Sequence, residues 1–267
     1  MSLKITILGC GNSAGVPAVG NYWGDCDPNE PKNRRFKCAL AVQSAETTIV
    51  IDTGADFRHQ LNAFDINGLD AVFYSHEHSD HCHGIDDLRS FYFRKSKGER
   101  AQIPCYGHAD AIADIEERFD YMFKGGNHDY FYPSILKAIP FGAAAYGTKQ
   151  IFEDINFIPY EMDHGTCTTV GYRFGDVSYS VDMKSLDQKA LDTIKGSKTW
   201  IVDGAGYNSP NNDVHCDLAS IYRYNEYIGA EKVYITCLSS LMDYQTLKDE
   251  LPDGFYPAYD GLLVESA

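Results

Sequence analysis

Short apolar runs that end at Gly, Asp or Ser recur along most of the 267-residue chain. Their enrichment in Val, Ile, Tyr and Phe is typical of β-strands. Segments with apolar residues three and four positions apart, typical of amphipathic helices, lie between some of these runs. Strands follow one another early and alternate with helices later, which predicts a layered α/β protein with mixed sheets. The pattern predicts strands at 4–8, 37–43, 47–51, 71–74, 103–106, 156–160, 169–174, 177–181, 199–202 and 233–236, and helices at 82–93, 110–123, 186–194 and 217–228.

The organisation of the chain is uniform. No internal repeat, low-complexity linker or change of composition divides it, so we expect one domain over residues 1–267. The stretch 124–147 is rich in Gly and aromatic residues and has no periodic pattern. It is consistent with a lid, an extra hairpin or an ordinary surface insertion.

Composition and charge narrow the class of protein. The hydrophobic share of 44% excludes a disordered chain, and no apolar run reaches the roughly eighteen residues of a membrane span. The formal charge of −15 argues against nucleic acid as the main partner, because phosphate backbones bind basic surfaces. The start lacks a signal-peptide pattern, and the eight scattered cysteines include no C-x-x-C pair. We therefore expect a cytoplasmic protein with reduced thiols and no membrane partner.

The strongest candidate for chemistry is the segment 75–81, SHEHSDH, which directly follows an apolar run. His76 and His78 are two positions apart at a strand end, so both side chains project to one side and can hold one metal ion. Asp80 and His81 follow where the chain is expected to enter a helix, and they point to a neighbouring position. Imidazole and carboxylate ligands suit zinc, manganese or iron. The spacing therefore predicts two adjacent metal positions, and a histidine-rich exposed turn is the alternative.

The H-x-H-x-D-H pattern after a strand resembles the signature of the metallo-β-lactamase fold. Further segments resemble the PhnP-like phosphodiesterase branch, which is related to ribonuclease Z. They include GCGNSAGVP at 9–17, WGDCDP at 23–28, IDTG at 51–54 and PAYDG at 257–261. The resemblance spans nearly the whole chain and implies a four-layer αββα sandwich with two mixed β-sheets flanked by helices.

The resemblance also implies roles for residues further along the chain. His164, after a predicted strand, matches the third histidine of the first metal position. Asp182, after another predicted strand, matches the aspartate that bridges both ions. His215 matches the histidine beside the scissile phosphate, with a surface helix cap as the alternative. Asp52, in the IDTG segment, is expected to brace the loops around the metals.

The last metal ligand is where the chain departs from the family pattern. Relatives carry a Thr-His dipeptide after a late strand; here that histidine is replaced by Cys237 and a second one, three residues on, by Ser240. A cysteine can ligate zinc as a thiolate. The second position is therefore expected to use Asp80, His81, Asp182 and Cys237. If Cys237 is only a small buried side chain, the second ion has three protein ligands and binds more weakly.

The function implied by these features is that of a metal-dependent hydrolase. The expected substrate is a small phosphodiester, cyclic ones included, attacked by a hydroxide that bridges two divalent ions, Zn²⁺ or Mn²⁺. Asp80 and His215 are the expected catalytic residues. The alternatives are a ribonuclease Z-like nuclease and a degenerate protein that holds a single metal with little or no turnover. A homodimer is implied by the resemblance alone.

A basic cluster stands out in this acidic chain. Lys32, Arg34 and Arg35 lie close to the glycine-rich segment and could hold a phosphate ester. We expect instead a solvated or internally salt-bridged loop, because such charge runs are usually surface features.

Overall fold

The structure is a computed structural model that describes residues 2–125 and 133–266. Its strands are β1 (Leu3–Gly9), β2 (Ala39–Gln43), β3 (Thr48–Ile51), β4 (Ala71–Phe73), β5 (Ile103–Gly107), β6 (Leu136–Pro140), β7 (Gln150–Phe152), β8 (Ile155–Asp163), β9 (Thr168–Phe174), β10 (Val177–Ser180), β11 (Thr199–Asp203), β12 (Lys232–Thr236), β13 (Phe255–Pro257) and β14 (Leu263–Ser266). Its helices are α1 (Phe57–Ala63), α2 (Ser79–Cys82), α3 (Arg89–Arg94), α4 (Ala109–Arg118), α5 (Asp120–Phe123), α6 (Gln188–Ile194), α7 (Leu218–Ile228) and α8 (Tyr244–Glu250).

The strands form two mixed sheets of seven strands each. The first has the order β14-β1-β2-β3-β4-β5-β6 and the second the order β13-β12-β11-β10-β9-β8-β7. In the first sheet, β14 to β3 pair antiparallel and β3 to β6 pair parallel. In the second, β7 to β10 pair antiparallel and β10 to β13 pair parallel. Each sheet therefore has a parallel half whose carboxyl-terminal strand ends can converge on one site.

Apolar side chains fill three interfaces between layers. Phe73 of the first sheet packs on Tyr172 of the second, with ring centroids 5.4 Å apart, within the core between the sheets. The same core reaches Ile194 and Ile221, which lie on the helices that cover the second sheet. A separate core packs α1, α4 and α5 on the outer face of the first sheet. The four-layer αββα sandwich with two mixed sheets is thus confirmed.

All ten predicted strands are present with shifted ends, but the predicted helix at 82–93 is wrong. The chain there forms the short α2, a 3-10 turn at Ile85–Leu88, and α3. Gly84 separates them because it packs on the loop after β3. Its N–H donates to the Thr53 carbonyl at 2.7 Å, and a Cβ at Gly84 would lie 2.1 Å from the Gly54 carbonyl oxygen. A continuous helix would push this segment off the loop.

Two further segments differ from the sequence pattern. The helix expected at 110–123 breaks at Phe119, whose φ of −118° and ψ of 38° separate α4 from α5. Within the stretch 124–147, residues 136–140 form β6 at the edge of the first sheet, whereas residues 126–132 lie outside the described part of the chain. No helix within the described residues has the length and apolar character needed to cross a bilayer.

Candidate metal centre and active site

Residues at the carboxyl ends of strands from both sheets build the site. Asp52 directly follows β3, and the segment 75–81 follows β4 in the same sheet. From the second sheet come His164 directly after β8, Asp182 after β10 and Cys237 directly after β12. The two sheets pack face to face, so these strand ends meet along one edge of the sandwich although they are far apart in sequence.

The backbone turns sharply where three of these residues leave their strands. Asp52, Asp182 and Cys237 have φ values of 67°, 48° and 58°, in the left-handed region that non-glycine residues rarely adopt. Each such residue costs on the order of 1 kcal/mol or more, and strain of this kind clusters at functional sites. At each of these residues the backbone leaves its strand in a sharp turn, and the three side chains lie at the shared edge.

The first predicted metal position is assembled. His76, His78, His164 and Asp182 each offer one ligand atom, and these atoms lie within 4.8 Å of one another. The Nε2 atoms of His76 and His164 are 3.5 Å and 3.8 Å from Oδ2 of Asp182. Burial, reinforced by neighbouring imidazoles, holds the pKa of His76 well below its usual value. The neutral imidazole, which is the form that binds metal, is therefore favoured.

The second predicted position lies beside the first and shares Asp182 with it. Asp80, His81 and Asp182 bring one ligand atom each within 4.8 Å of the others. Nε2 of His81 is 3.2 Å from Oδ2 of Asp80 and 3.2 Å from Oδ2 of Asp182. One carboxylate between two groups of ligands is the arrangement that a pair of bridged ions needs.

Buried hydrogen bonds orient the ligand imidazoles. Nδ1 of His81 is 2.7 Å from Oδ2 of Asp52, and Nδ1 of His164 is 2.7 Å from the Val214 carbonyl oxygen. Asp52 also accepts hydrogen bonds from the N–H and the hydroxyl of Ser75, at 2.8 Å and 2.7 Å. Each Nδ1 therefore donates to an oxygen, and Nε2 is left to face the centre. Asp52 braces the site in the way its strand-end position predicts.

Cys237 lies next to Asp182 but outside both groups of ligands. Its Sγ is 3.4 Å from Oδ1 of Asp182 and 3.4 Å from Sγ of Cys38. In the described chain, the four-residue and three-residue groups that could hold the two ions do not include it. Burial, together with the hydrogen bond to Cys38, raises the pKa of the Cys237 thiol well above its usual value. Ligation by Cys237 remains a prediction, and the geometry here is that of a thiol donating to the outer oxygen of Asp182.

His215 lies at the rim of the same centre, and a residue that the sequence reasoning missed holds it there. Its ring centroid is 5.2 Å from that of His164, and its Nδ1 is 2.7 Å from Oδ2 of Asp203. Asp203 is fully buried and also accepts the main-chain N–H groups of Met183 and Ala205, both at 2.8 Å. Burial lowers the pKa of His215, but the hydrogen bond and charge of Asp203 outweigh it and raise the pKa to about 9.

The only sequence signal for Asp203 was its position at the end of an apolar strand. Asp52 and Asp182 have the same signal, so a search for Asp at the ends of parallel strands would have found all three. The other histidines in the described part of the chain are not part of the centre. His59 is exposed and stacks on Phe36, His83 is exposed and meets Phe119 edge to face, and His108 caps the first turn of α4. His128 lies outside the described residues.

The basic cluster is only in part the solvated loop that we expected, since Arg34 is exposed and Lys32 is half-buried. Arg35 is buried, and its guanidinium donates to the carbonyls of Ser239 and Met242 at 3.0 Å and 2.7 Å. The Nζ of Lys32 lies over two tyrosine rings, and the guanidinium of Arg34 stacks on a tryptophan. The side-chain contacts of all three therefore serve the structure of the N-terminal loops.

Comparison with known proteins agrees with this architecture. The chain belongs to the metallo-β-lactamase superfamily, since the family model described as the beta-lactamase superfamily domain matches residues 47–236. A crystal structure described as a new diphosphatase from the PhnP family is 28% identical, with a TM-score of 0.86 over 99% of this chain and 97% of that one. The PhnP-like resemblance in the sequence is thereby confirmed.

Two curated proteins are also similar. An octanoyltransferase of Porphyromonas gingivalis is 26% identical over 97% of this chain and 51% of its own length. A ribonuclease Z of Phocaeicola vulgatus is 27% identical over 46% of this chain and 34% of its own length. The chain thus spans about half or less of the curated relatives that it matches.

The residues at the centre fit the divalent ions that the superfamily binds. Their donors are imidazole nitrogens and carboxylate oxygens, which suit such ions. Nε2 of His76 is buried and has no hydrogen-bond partner, a costly arrangement that a metal bond would relieve. The centre therefore has the donor atoms of a divalent-metal site of this superfamily.

Proposed function

We propose that the chain is a phosphodiesterase that uses two divalent ions and acts on a small phosphodiester. The observation that carries the proposal is the carboxylate of Asp182, which belongs to both groups of ligand atoms. The similar PhnP-family structure is described as a diphosphatase, which supports phosphate-ester chemistry. Zn²⁺ or Mn²⁺ as the ions, a cytoplasmic location and a homodimer stay predictions from the sequence.

Ions held by these residues would supply Lewis acidity, which activates water and neutralises charge on the phosphate. The chain's own contribution begins with Asp80, whose pKa is lowered by the hydrogen bond and charge of His81 although burial opposes the shift. The ionised Asp80 can accept a hydrogen bond from the attacking water and so orient it.

His215 would act on the leaving group, whereas Asp80 acts on the attacking water. With Nδ1 held by Asp203 at 2.7 Å, Nε2 is the ring nitrogen left to donate to the leaving oxygen or to the developing negative charge. Asp203 does not touch the substrate in this scheme; it positions the imidazole and keeps it protonated. His215 would be a catalytic residue and Asp203 a positioning residue.

The test uses bis(4-nitrophenyl) phosphate and a panel of cyclic phosphodiesters and diphosphate esters, with Mn²⁺ or Zn²⁺ added. We expect turnover that His78→Ala and Asp182→Asn abolish. The matched control is His59→Ala, since His59 is an exposed histidine outside the centre, and this variant should keep full activity. A metal-loaded wild type without turnover, or activity that survives His78→Ala, would refute the proposal.

The variant Asp203→Asn tests whether Asp203 acts by positioning His215 rather than by binding metal. We expect kcat to fall by about 10²-fold or more, as for loss of a general acid, while the bound metal per chain stays unchanged. His215→Asn should have the same effect, and the double variant should lose little more, because the two residues act as a unit. Additive losses would show that Asp203 acts through something other than His215.

A ribonuclease Z-like nuclease is the second candidate, favoured by the similarity to a ribonuclease Z over part of the chain. The formal charge of −15 opposes it, since a large polyanion binds best to a basic surface. A salt-sensitive gel shift with precursor tRNA, together with its cleavage, would favour the nuclease. A single tightly bound ion per chain without turnover would instead favour a degenerate metal-binding protein.

A further inference from the structure

A second group of metal-binding side chains lies beside the centre just described. Glu77, His78 and Cys167 each place one ligand atom within 4.8 Å of the others, and all three residues are half-buried. Glu77 stands between the two histidines of the motif. His78 is the one residue common to this group and to the first metal position.

Cys167 is held in place by a tight turn. The N–H of His164 donates to the Cys167 carbonyl at 3.1 Å, and the N–H of Thr166 donates to the His164 carbonyl at 2.9 Å. The turn therefore ties the thiol to a ligand of the centre. Cys167 is also the only one of the eight cysteines that is not buried, so it is the thiol that an incoming ion can reach.

The surroundings of this group favour a cation. Glu77 and Cys167 line a cleft of about 520 Å³ together with Asp110, Asp163 and His108. Among the described residues that line it there are three carboxylates and neither lysine nor arginine. In a chain with a formal charge of −15, such a cleft carries a negative potential that concentrates divalent ions.

We propose that Glu77, His78 and Cys167 form an accessory metal site for a thiophilic divalent ion such as Zn²⁺. One thiolate, one carboxylate and one imidazole neutralise the charge of the ion and leave its fourth position open to water. On binding, the S–H bond of Cys167 breaks, the S–Zn bond forms and the proton passes to solvent. His78 would join this site through one ring nitrogen and the first metal position through the other, as a bridging imidazolate whose ring N–H proton also passes to solvent. Mn²⁺, which prefers oxygen ligands, should bind here poorly.

Thiol labelling tests the site without using activity. The protein is first loaded with two equivalents of Zn²⁺ and is then labelled with a chromogenic disulfide reagent as a third equivalent is added. We expect Cys167 to be the fast-reacting thiol, and the third equivalent to slow its labelling about tenfold or more. Glu77→Gln should weaken this protection, whereas Asp110→Asn, which changes a carboxylate of the same cleft outside the group, should keep it. The proposal would be overturned if the rate of Cys167 labelling did not change with the third equivalent of Zn²⁺, or if the protection were unchanged in Glu77→Gln.

Titration with Co²⁺ gives a second, spectroscopic readout. A cobalt–thiolate charge-transfer band should appear with the third equivalent in the wild type and be absent in Cys167→Ser, while the first two equivalents still bind. A band that appears with the second equivalent and survives Cys167→Ser would come from Cys237 instead. A wild type that saturates at two equivalents would refute the accessory site and leave the hydrolytic centre intact, so failure of this proposal is distinguishable from failure of the proposed function.

Discussion

Adding a single methyl group at Gly54 should test whether close packing of the loop after β3 against the Asp80 segment controls the metal site. It follows Asp52 and Thr53 after β3 and packs against the segment that carries Asp80. A Cβ at position 54 would lie 2.0 Å from the carbonyl oxygen of Asp80 and 3.7 Å from Cβ of Lys37. The obstructing atom belongs to the backbone, so rotation of a side chain cannot relieve the clash.

The magnitude follows from the distance. An ordinary contact between heavy atoms is at least about 3.4 Å. The added Cβ would lie only 2.0 Å from the Asp80 carbonyl oxygen, so Gly54→Ala must move the Asp80 backbone by more than 1 Å. Overpacking of this kind costs about 1–3 kcal/mol, which corresponds to roughly 2–5 °C in the melting temperature of a chain of this size. Because Asp80 carries a predicted metal ligand, a shift of about 1 Å should also lower kcat by about 10²-fold.

The assay compares Gly54→Ala with Gly68→Ala. A Cβ at the exposed Gly68 meets no atom within 4 Å, so this control has the same chemical change without the clash. Thermal unfolding, metal content and phosphodiester hydrolysis are measured for both. If Gly54→Ala is as stable and as active as Gly68→Ala, the interlocked packing of the loops does not control the site.

Three further predictions concern stability. Burial raises the pKa of Asp260 to about 7, against the opposing hydrogen bonds from Phe36 and Cys10, so the contribution of this carboxyl to stability should be present near pH 4 and be lost as the pH rises through about 7. Between pH 5 and pH 8 the free energy of unfolding of the wild type should therefore fall by up to about 2.7 kcal/mol relative to that of Asp260→Asn. This value is an upper bound because the residue is partly accessible. If the free energies of the two proteins, measured by urea unfolding, change in parallel with pH, the prediction is wrong. Arg35→Lys removes the forked donation to the carbonyls of Ser239 and Met242 and should lower the free energy of unfolding by about 1–3 kcal/mol; an unchanged urea midpoint would count against the structural role of Arg35. A chelator should lower the melting temperature of the metal-loaded protein, since ions that bind only the folded state stabilise it, and an unchanged value would show that no ion is held.

Much of the fold could be predicted because the hydrophobic pattern reports which residues are buried. The ten predicted strands are apolar and short, and each is present in one of the two sheets. The missed strands β6, β7, β13 and β14 lie at or near sheet edges, where fewer side chains are buried and the pattern is weak. The predicted helix at 82–93 failed for another reason. Its break at Gly84 depends on a contact with Gly54, which local propensity does not report.

Some residues of the candidate site could likewise be predicted from the sequence, and others could not. His76, His78, Asp80 and His81 are recognisable because they lie at H-x-H-x-D-H spacing directly after one apolar strand. Asp203 was missed because a single strand-end aspartate carries no such local signal. Its role exists only through His215, which lies twelve positions further along the chain and 2.7 Å away in space.

The sequence by itself determined the chemistry that is available: the imidazoles, carboxylates and thiols, and the strand ends that bear them. Only the tertiary structure decided which of these atoms meet. His81 and Asp182 come from different sheets and lie 3.2 Å apart because the two sheets pack face to face with their parallel strand ends at one edge. It likewise placed Cys237 against the outer oxygen of Asp182 and brought Cys167 beside Glu77. Side-chain periodicity specifies which face of a strand is buried, whereas the packing of one sheet on the other specifies its neighbours.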